Sequence, residues 1–266
     1  MNELQKIAFD LLDTDQVQLV IGYKQASGNS VKATFIKKPA EAEKLIFNSN
    51  CVQNLAVYLT KKEYKSYAGI GLIASLPVLR SVIQLARENQ ISEKRIKAIS
   101  ASNDGSARLF NSFAEIEEYL SQAVREIDIK YKEAIQKIRA LPMEERWKYW
   151  MTELSDCFKC YACRAACPMC YCTKCIVESN QPQWIPASSQ PLANLEWHIN
   201  RSMHMAGRCS QCDACAEACP LGIPINLLTR NMIADYEEAF GPVKDSLGMP
   251  NLLSSYNPAD KESFIR

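Results

Sequence analysis

Cys157-Phe158-Lys159-Cys160-Tyr161-Ala162-Cys163-Arg164-Ala165-Ala166-Cys167-Pro168 and, further along, Cys209-Ser210-Gln211-Cys212-Asp213-Ala214-Cys215-Ala216-Glu217-Ala218-Cys219-Pro220 share one spacing, Cys-x2-Cys-x2-Cys-x3-Cys-Pro. Of the 12 cysteines in the chain, 11 lie between Cys157 and Cys219, and Cys51 stands apart. So dense a thiol cluster is either a disulfide framework or a metal site, and the two belong to different compartments. The opening Met1-Asn2-Glu3-Leu4-Gln5-Lys6 lacks the basic start and apolar run of a secretory signal and has no twin-arginine pair. The expectation is a cytoplasmic protein whose reduced thiols hold metal.

The spacing identifies the metal. In the run used by bacterial two-cluster ferredoxins, three closely spaced thiolates grip three corners of a cubane while the loop's N–H groups point at its sulfides. The proline turns the chain away, and the fourth cysteine reaches the other cluster. By that crossover, the first 4Fe-4S cluster takes Cys157, Cys160, Cys163 and Cys219, and the second takes Cys209, Cys212, Cys215 and Cys167. Zinc knuckles also use Cys-x-x-Cys pairs. They need two such pairs, not a third cysteine at the same interval followed by Cys-Pro, and here the whole pattern occurs twice.

Cys170, Cys172 and Cys175 remain in Pro168-Met169-Cys170-Tyr171-Cys172-Thr173-Lys174-Cys175. With Cys51 they make a further set of four, and three sets of four use all 12 thiols. Three readings stand: a third 4Fe-4S cluster stapling the N-terminal part to the cysteine-rich part, a zinc ion on the same ligands, or reduced and partly buried thiols. His198 and His204 read as structural or hydrogen-bonding groups, since enough cysteines are present to ligate the metal. Trp147, Trp150, Trp184 and Trp197 read as packing around the clusters rather than an electron path.

Upstream, the pattern alternates. Val17–Ile21 and Val31–Ile36 are β-branched runs separated by Ser27-Gly28-Asn29-Ser30, which predicts a hairpin or two adjacent strands. Pro39 opens a short helix through Phe47, and Asn54–Leu59 reads as another. Gly69–Ala74 reads as a buried strand. Pro77 with Leu79, Ile83, Leu85 and Ala86 reads as a helix, and Arg95–Ile99 as one more strand. Gly69-x-Gly71 is no dinucleotide fingerprint, because no third glycine follows and Pro77 occupies the helix start. Ser112-Phe113-Ala114-Glu115 is a capping box. It opens a helical period through Ile116, Tyr119, Leu120, Ala123, Ile127, Ala134, Ile135 and Ile138, which Pro142 breaks before a second helix, Met143 to Leu154. Leu195–Met205 and Ile225–Phe240 also read as helices. The predicted class is α+β: a small N-terminal α/β docking domain (1–110), a helical connector (111–155) and a mostly helical two-cluster ferredoxin domain (156–266).

Composition narrows the partners. The formal net charge of +1 predicts no nucleic-acid footprint. No apolar stretch approaches the roughly 20 residues needed to span a bilayer.

Lys38-Pro39 through Asn48 and Cys51-Val52-Gln53-Asn54-Leu55-Ala56-Val57-Tyr58-Leu59 resemble the β subunits of deazaflavin-reducing hydrogenases and formate dehydrogenases. Cys167-Pro168-Met169-Cys170-Tyr171-Cys172 and His204-Met205-Ala206-Gly207-Arg208-Cys209 resemble the ferredoxin part of their bacterial 4Fe-4S dicluster relatives. The long insert and flanking helices resemble the helical two-cluster domains of respiratory and heterodisulfide-reductase subunits. The resemblance implies an electron-transfer subunit relaying single electrons between redox subunits of an anaerobic complex. Its partners would be a flavoprotein and heterodisulfide-reductase-like, hydrogenase or formate dehydrogenase subunits. The alternative is a reductase subunit that binds FAD and exchanges electrons with NAD(P)H, deazaflavin or ferredoxin. The family's Gly-Cys-Asp-x-Arg motif is replaced here by Leu76-Pro77-Val78-Leu79-Arg80, and a second motif cysteine is replaced near Ser100-Ala101-Ser102. These departures argue against a flavin site and for an N-terminal domain that docks and holds clusters rather than catalyses.

Overall fold

The protein is seen here in a computed structural model, which describes residues 1–123, 129–175, 177–179, 181–243 and 245–248, without the side chains of 129 and 130. The chain opens with helix α1 (Glu3–Asp13), which the sequence reading passed over. Its start is a complete capping box: the Asn2 side chain accepts from Gln5 N–H, and the Gln5 side chain accepts from Asn2 N–H. Strands β1 (Leu19–Gln25) and β2 (Val31–Ile36) then pair antiparallel as the expected hairpin. β1 begins later than expected and runs on through Gly22. A side chain at Gly22 would meet Leu45 Cδ2 at 2.7 Å as well as Ile73, so the bare backbone lets the sheet be covered closely. Pro39–Lys44 and Leu55–Tyr58 form short 3-10 helices.

Strand β3 (Ile70–Ala74) is buried along its whole length and leads into helix α2 (Leu76–Arg87), then strands β4 (Ile96–Ala101) and β5 (Ala107–Phe110). The five-stranded sheet has the order β2-β1-β3-β4-β5, with a parallel centre (β1/β3/β4) and antiparallel edges. Continuous apolar runs such as Ile70–Ala74 suit a parallel strand covered on both faces. Ala107–Phe110 was missed because Arg108 and its partly exposed neighbours carry little strand signal for an edge position.

Helix α3 (Phe113–Gln122) starts at the predicted cap: Ser112 Oγ accepts from Glu115 N–H at 3.2 Å. The Glu115 carboxylate reaches one residue further back than a capping box requires, accepting from Asn111 N–H at 3.0 Å. The long helix expected from Ser112 to Leu141 is instead interrupted. The backbone turns extended at Ala123, and helix α4 spans Ile129–Ala140; Ile127 lies outside the described residues. The apolar stripe serves two separate cores. Phe113, Ile116 and Leu120 pack on the sheet, whereas Ile138 packs with Trp150, Leu154, Leu195 and Trp197 in a helical core. A straight helix cannot deliver one stripe to both.

That helical core gathers α5 (Met143–Ser155), the single turn α6 (Ala162–Ala165), α7 (Pro191–Met203), the single turn α8 (Ala214–Glu217) and α9 (Ile225–Phe240). Among the described residues, no strand lies beyond β5 and no helix is long and apolar enough to cross a membrane.

The two cores are joined by buried groups. Met169 and Met205, from the cysteine-rich half, are buried in the core of the sheet half. Arg208 grips Glu88, just past α2, with two bonds of 2.6 Å, and Tyr171 Oη donates to the same carboxylate at 2.8 Å. Gln84 Nε2 also donates to Glu88 at 2.6 Å. Ser81 Oγ meets Ser210 Oγ at 2.8 Å and accepts from Asn54 Nδ2 at 2.8 Å. Burial pushes the Glu88 carboxyl up, but the hydrogen bond and charge of Arg208 outweigh it and hold the group below the ordinary carboxylate range. Stability linked to Glu88 is therefore fully present above that ordinary range and is lost as pH falls through the depressed value. Glu88→Gln leaves Arg208 buried without its counter-charge and should destabilise the protein by about 3–5 kcal/mol. Anaerobic denaturant unfolding checks this, and a change under about 0.5 kcal/mol would contradict it.

Candidate metal centre

Each cysteine run folds the same way. The residues two and four places after the first cysteine take left-handed backbone angles: Lys159 (φ 54°) and Tyr161 (φ 60°) in one loop, Gln211 (φ 58°) and Asp213 (φ 59°) in the other. None is glycine, so each such residue costs roughly 1–2 kcal/mol and persists only when its surroundings fix it. Lys159 is buried, its ammonium donating to the carbonyls of Pro186 at 2.6 Å and Ser188 at 3.0 Å. The Tyr161 ring packs on Trp197 at 5.4 Å between centroids. Arg230 fixes the second loop, donating to Asp213 Oδ2 at 2.9 Å, Gln211 Oε1 at 2.8 Å and the Gln211 carbonyl at 3.0 Å.

Left-handed residues two places apart curl the backbone so that N–H groups face the cysteine sulfurs, an arrangement suited to anions and to cluster sulfides. Lys159 N–H lies 3.4 Å from Cys157 Sγ, and Gln211 N–H lies 3.3 Å from Cys209 Sγ. The third cysteine of each run then rides on α6 or α8. Met205 and Cys209 are linked by a tight turn at Gly207 (φ +67°), where a Cβ would strike the Tyr236 ring at 2.8 Å.

The structure brings Cys167, Cys209, Cys212 and Cys215 around one partly enclosed cavity, lined also by Met169, Met205, Arg201 and Arg230. Cys157 lies within electrostatic reach of Cys160 and Cys219, and Cys163 within reach of Cys157. Burial pushes the Cys163 and Cys215 thiols up to about 11 and Cys209 up to about 12. Such thiols stay protonated at neutral pH unless a metal supplies the positive charge, and a coordinating thiol is deprotonated outright. Among the described residues, no three His, Cys, Asp or Glu side chains converge on a point that would hold a single ion. Thiols spread around a cavity suit a cubane, whose four irons each take their own sulfur.

The remaining four cysteines occupy different places. Cys51 is buried in the sheet half, accepting from Asn48 N–H at 3.4 Å. Burial raises the nearby Tyr23 hydroxyl, and Cys51 and Cys212 both add to that rise, so these two thiols flank the same ring. Cys170 and Cys172 line a cleft with Cys160, while Cys175 packs against the helical core. Cys170 is lowered to about 6, mainly because it accepts a hydrogen bond from the Cys167 thiol; Cys167 is raised to match. No described cavity is lined by Cys51, Cys170, Cys172 and Cys175 together.

One face of α7 supplies His198 and two groups the sequence reading had missed, Asn194 and Arg201. Asn194 Nδ2 donates to the Cys157 carbonyl at 2.7 Å and holds the entry to the first loop. His198 Nε2 lies 3.3 Å from Cys157 Sγ, the hydrogen-bonding role expected for it; burial lowers its basicity to a pKa of about 3, so it is a neutral imidazole. Arg201 is 5% exposed and donates to the Cys163 carbonyl at 3.0 Å, and its Nε has no partner among the described residues. Burial disfavours its charge, but Cys170, together with Cys167 and Cys163 of the first run and Cys215 of the second, favours it more and keeps the guanidinium protonated. The signal was present: Asn194, His198 and Arg201 recur at i, i+4 and i+7 on a helix that also carries Leu195, Trp197 and Ile199. His204 is exposed at the end of α7 and stands apart from the cysteines. Trp150 and Trp197 are buried in the helical core as packing residues, and Trp147 and Trp184 are more than half exposed.

Fold and site together define an iron–sulfur protein: residues 153–223 match the 4Fe-4S dicluster domain family. A particular relative extends the likeness seen in the sequence. The chain is 32% identical over 101 residues, 38% of its length, to the F420-dependent formate dehydrogenase subunit beta of Methanocaldococcus jannaschii. The match spans 25% of that relative.

Because Arg201 places a buried positive charge among thiols of both runs, Arg201→Gln should lower the cluster midpoint potentials by roughly 50–150 mV at unchanged iron content. Arg201→Lys, which keeps the charge, should retain most of the wild-type potential. Anaerobic redox titration followed by electron paramagnetic resonance checks both.

Proposed function

We propose that the chain relays single electrons between redox partners through two 4Fe-4S clusters. Cys157, Cys160, Cys163 and Cys219 hold one; Cys209, Cys212, Cys215 and Cys167 hold the other. The observation that carries this reading is the single cavity lined by Cys167, Cys209, Cys212 and Cys215, since Cys167 belongs to one run and its three neighbours to the other. That is the crossover the two-cluster spacing requires. When bound, the clusters supply reversible one-electron chemistry. The chain's own residues bury them, aim N–H groups at their sulfurs and place Arg201 and His198 against them.

The partners follow from the resemblance. A β subunit of a formate dehydrogenase is one of several redox subunits, and this chain is read as passing electrons within an anaerobic oxidoreductase of that kind, in the cytoplasm. Arg80, the surviving residue of the altered Gly-Cys-Asp-x-Arg motif, is paired with Asp245 at 3.2 Å and is only 11% exposed. A committed arginine there favours the relay over the FAD-binding reductase.

Anaerobically purified protein should contain about eight irons, matching acid-labile sulfide and no flavin, with about four irons lost in Cys212→Ser. The same assay decides the third set. About twelve irons, falling to about eight in Cys51→Ser, would add a cluster on Cys51, Cys170, Cys172 and Cys175. Stoichiometric flavin would overturn the pure relay.

A further inference from the structure

The two cysteine sets differ in their access to solvent. Cys209 and Cys215 are part-buried and line a partly enclosed cavity, whereas Cys160 is exposed at a cleft of about 400 Å³. Cys172, also exposed, lines the same cleft. Lys61 and Lys62 stand on its sheet-side wall, both exposed and making no ion pair among the described residues. Arg164 stands opposite, anchored by Glu178 at 2.8 Å and by the Cys172 carbonyl at 2.9 Å. Among the described residues no carboxylate lines this cleft, Glu178 lying behind Arg164 as its partner. Phe158, two residues before Cys160, is 55% exposed, although the neighbouring Lys159 is buried.

We propose that this cleft is the port through which the chain exchanges electrons with an acidic one-electron carrier protein, docked on Lys61, Lys62 and Arg164 over Cys160. The inference rests on the two-cluster reading above and adds which cluster faces the partner and what surface the partner presents. Electron transfer falls steeply with distance, so the exposed ligand of the first cluster is the place of exchange. A transient redox complex needs only a small contact, formed by charge steering around an apolar patch. Lys61 and Lys62, which share the cleft with Cys160, supply the charge, and the exposed Phe158, two residues before Cys160 in the chain, supplies the apolar part. The cleft holds no buried polar side chain without a partner that would orient a small anion, so a protein surface fits it better. In the exchange, the carrier is oxidised by one electron and the first cluster is reduced by one; no bond or proton changes hands.

The test uses the anaerobic holoprotein and an acidic two-cluster ferredoxin, reduced with dithionite and freed of excess reductant, with cluster bleaching followed by stopped flow. The wild-type second-order rate should fall as ionic strength rises. The K61E/K62E variant should react about tenfold more slowly and lose most of that salt dependence. K132E/K148E, carrying the same charge change outside the cleft, should react like wild type. Unchanged kinetics in K61E/K62E, or an equal loss in K132E/K148E, would overturn the port. Direct reduction by dithionite separates the levels. Normal iron and normal bleaching in K61E/K62E assign its defect to docking, and a similar loss there would assign it to cluster damage and overturn the port. A wild-type protein with no bleachable cluster would instead overturn the relay itself.

Discussion

Thiolates gathered in a small volume repel one another and lose hydration when buried, so the cysteine-rich half can exist only with compensating positive charge. The structure supplies it at several levels. Left-handed residues at Lys159, Tyr161, Gln211 and Asp213 turn backbone N–H groups inward. Arg201 brings a full charge among thiols of both runs, and His198 adds a hydrogen bond to Cys157. Protein groups alone leave Cys163, Cys209 and Cys215 protonated at neutral pH, and iron completes the compensation. The helical core around Trp150, Leu154 and Trp197 therefore serves mainly to hold loop conformations that would not persist alone.

The same electrostatic demand explains the join between the halves. Arg208 lies directly before the second run, and its charge is absorbed by Glu88 and Tyr171 in a nearly closed network. A buried pair adds little net stability over a well-packed apolar contact, yet it penalises any other docking, because each partner alone is an uncompensated charge. Met169 and Met205, which fill irregular gaps well, supply the apolar part of the contact. The sheet half thereby becomes a fixed wall of the second thiol cavity and, through Lys61 and Lys62, of the cleft beside Cys160.

Much of this was legible in the residues themselves. Cysteine spacing specifies cluster type because a cubane demands thiolates at short, fixed intervals, and the 4Fe-4S dicluster match over residues 153–223 agrees with it. Apolar runs and breakers located β2, β3, α2, α5, α7 and α9, since those segments are amphipathic or wholly apolar for structural reasons. The hairpin turn at Ser27–Ser30 and the Ser112 cap follow from local hydrogen bonding that any fold would respect. The edge strand β5 and helix α1 escaped notice because their signals are weak locally and depend on the sheet they cover.

Only the tertiary structure could decide the rest. Whether a helical stripe stays whole depends on what it packs against, and Ile116 and Ile138 belong to different cores. Whether Cys51 joins Cys170, Cys172 and Cys175 is a matter of placement that counting thiols cannot supply. Nor does spacing tell Cys160, exposed beside Lys61 and Lys62, from Cys215, part-buried in a cavity with Met169 and Arg201. Sequence determined the chemistry because ligand type and interval are local properties. Structure determined access and local charge, because burial is set by residues far apart in the chain.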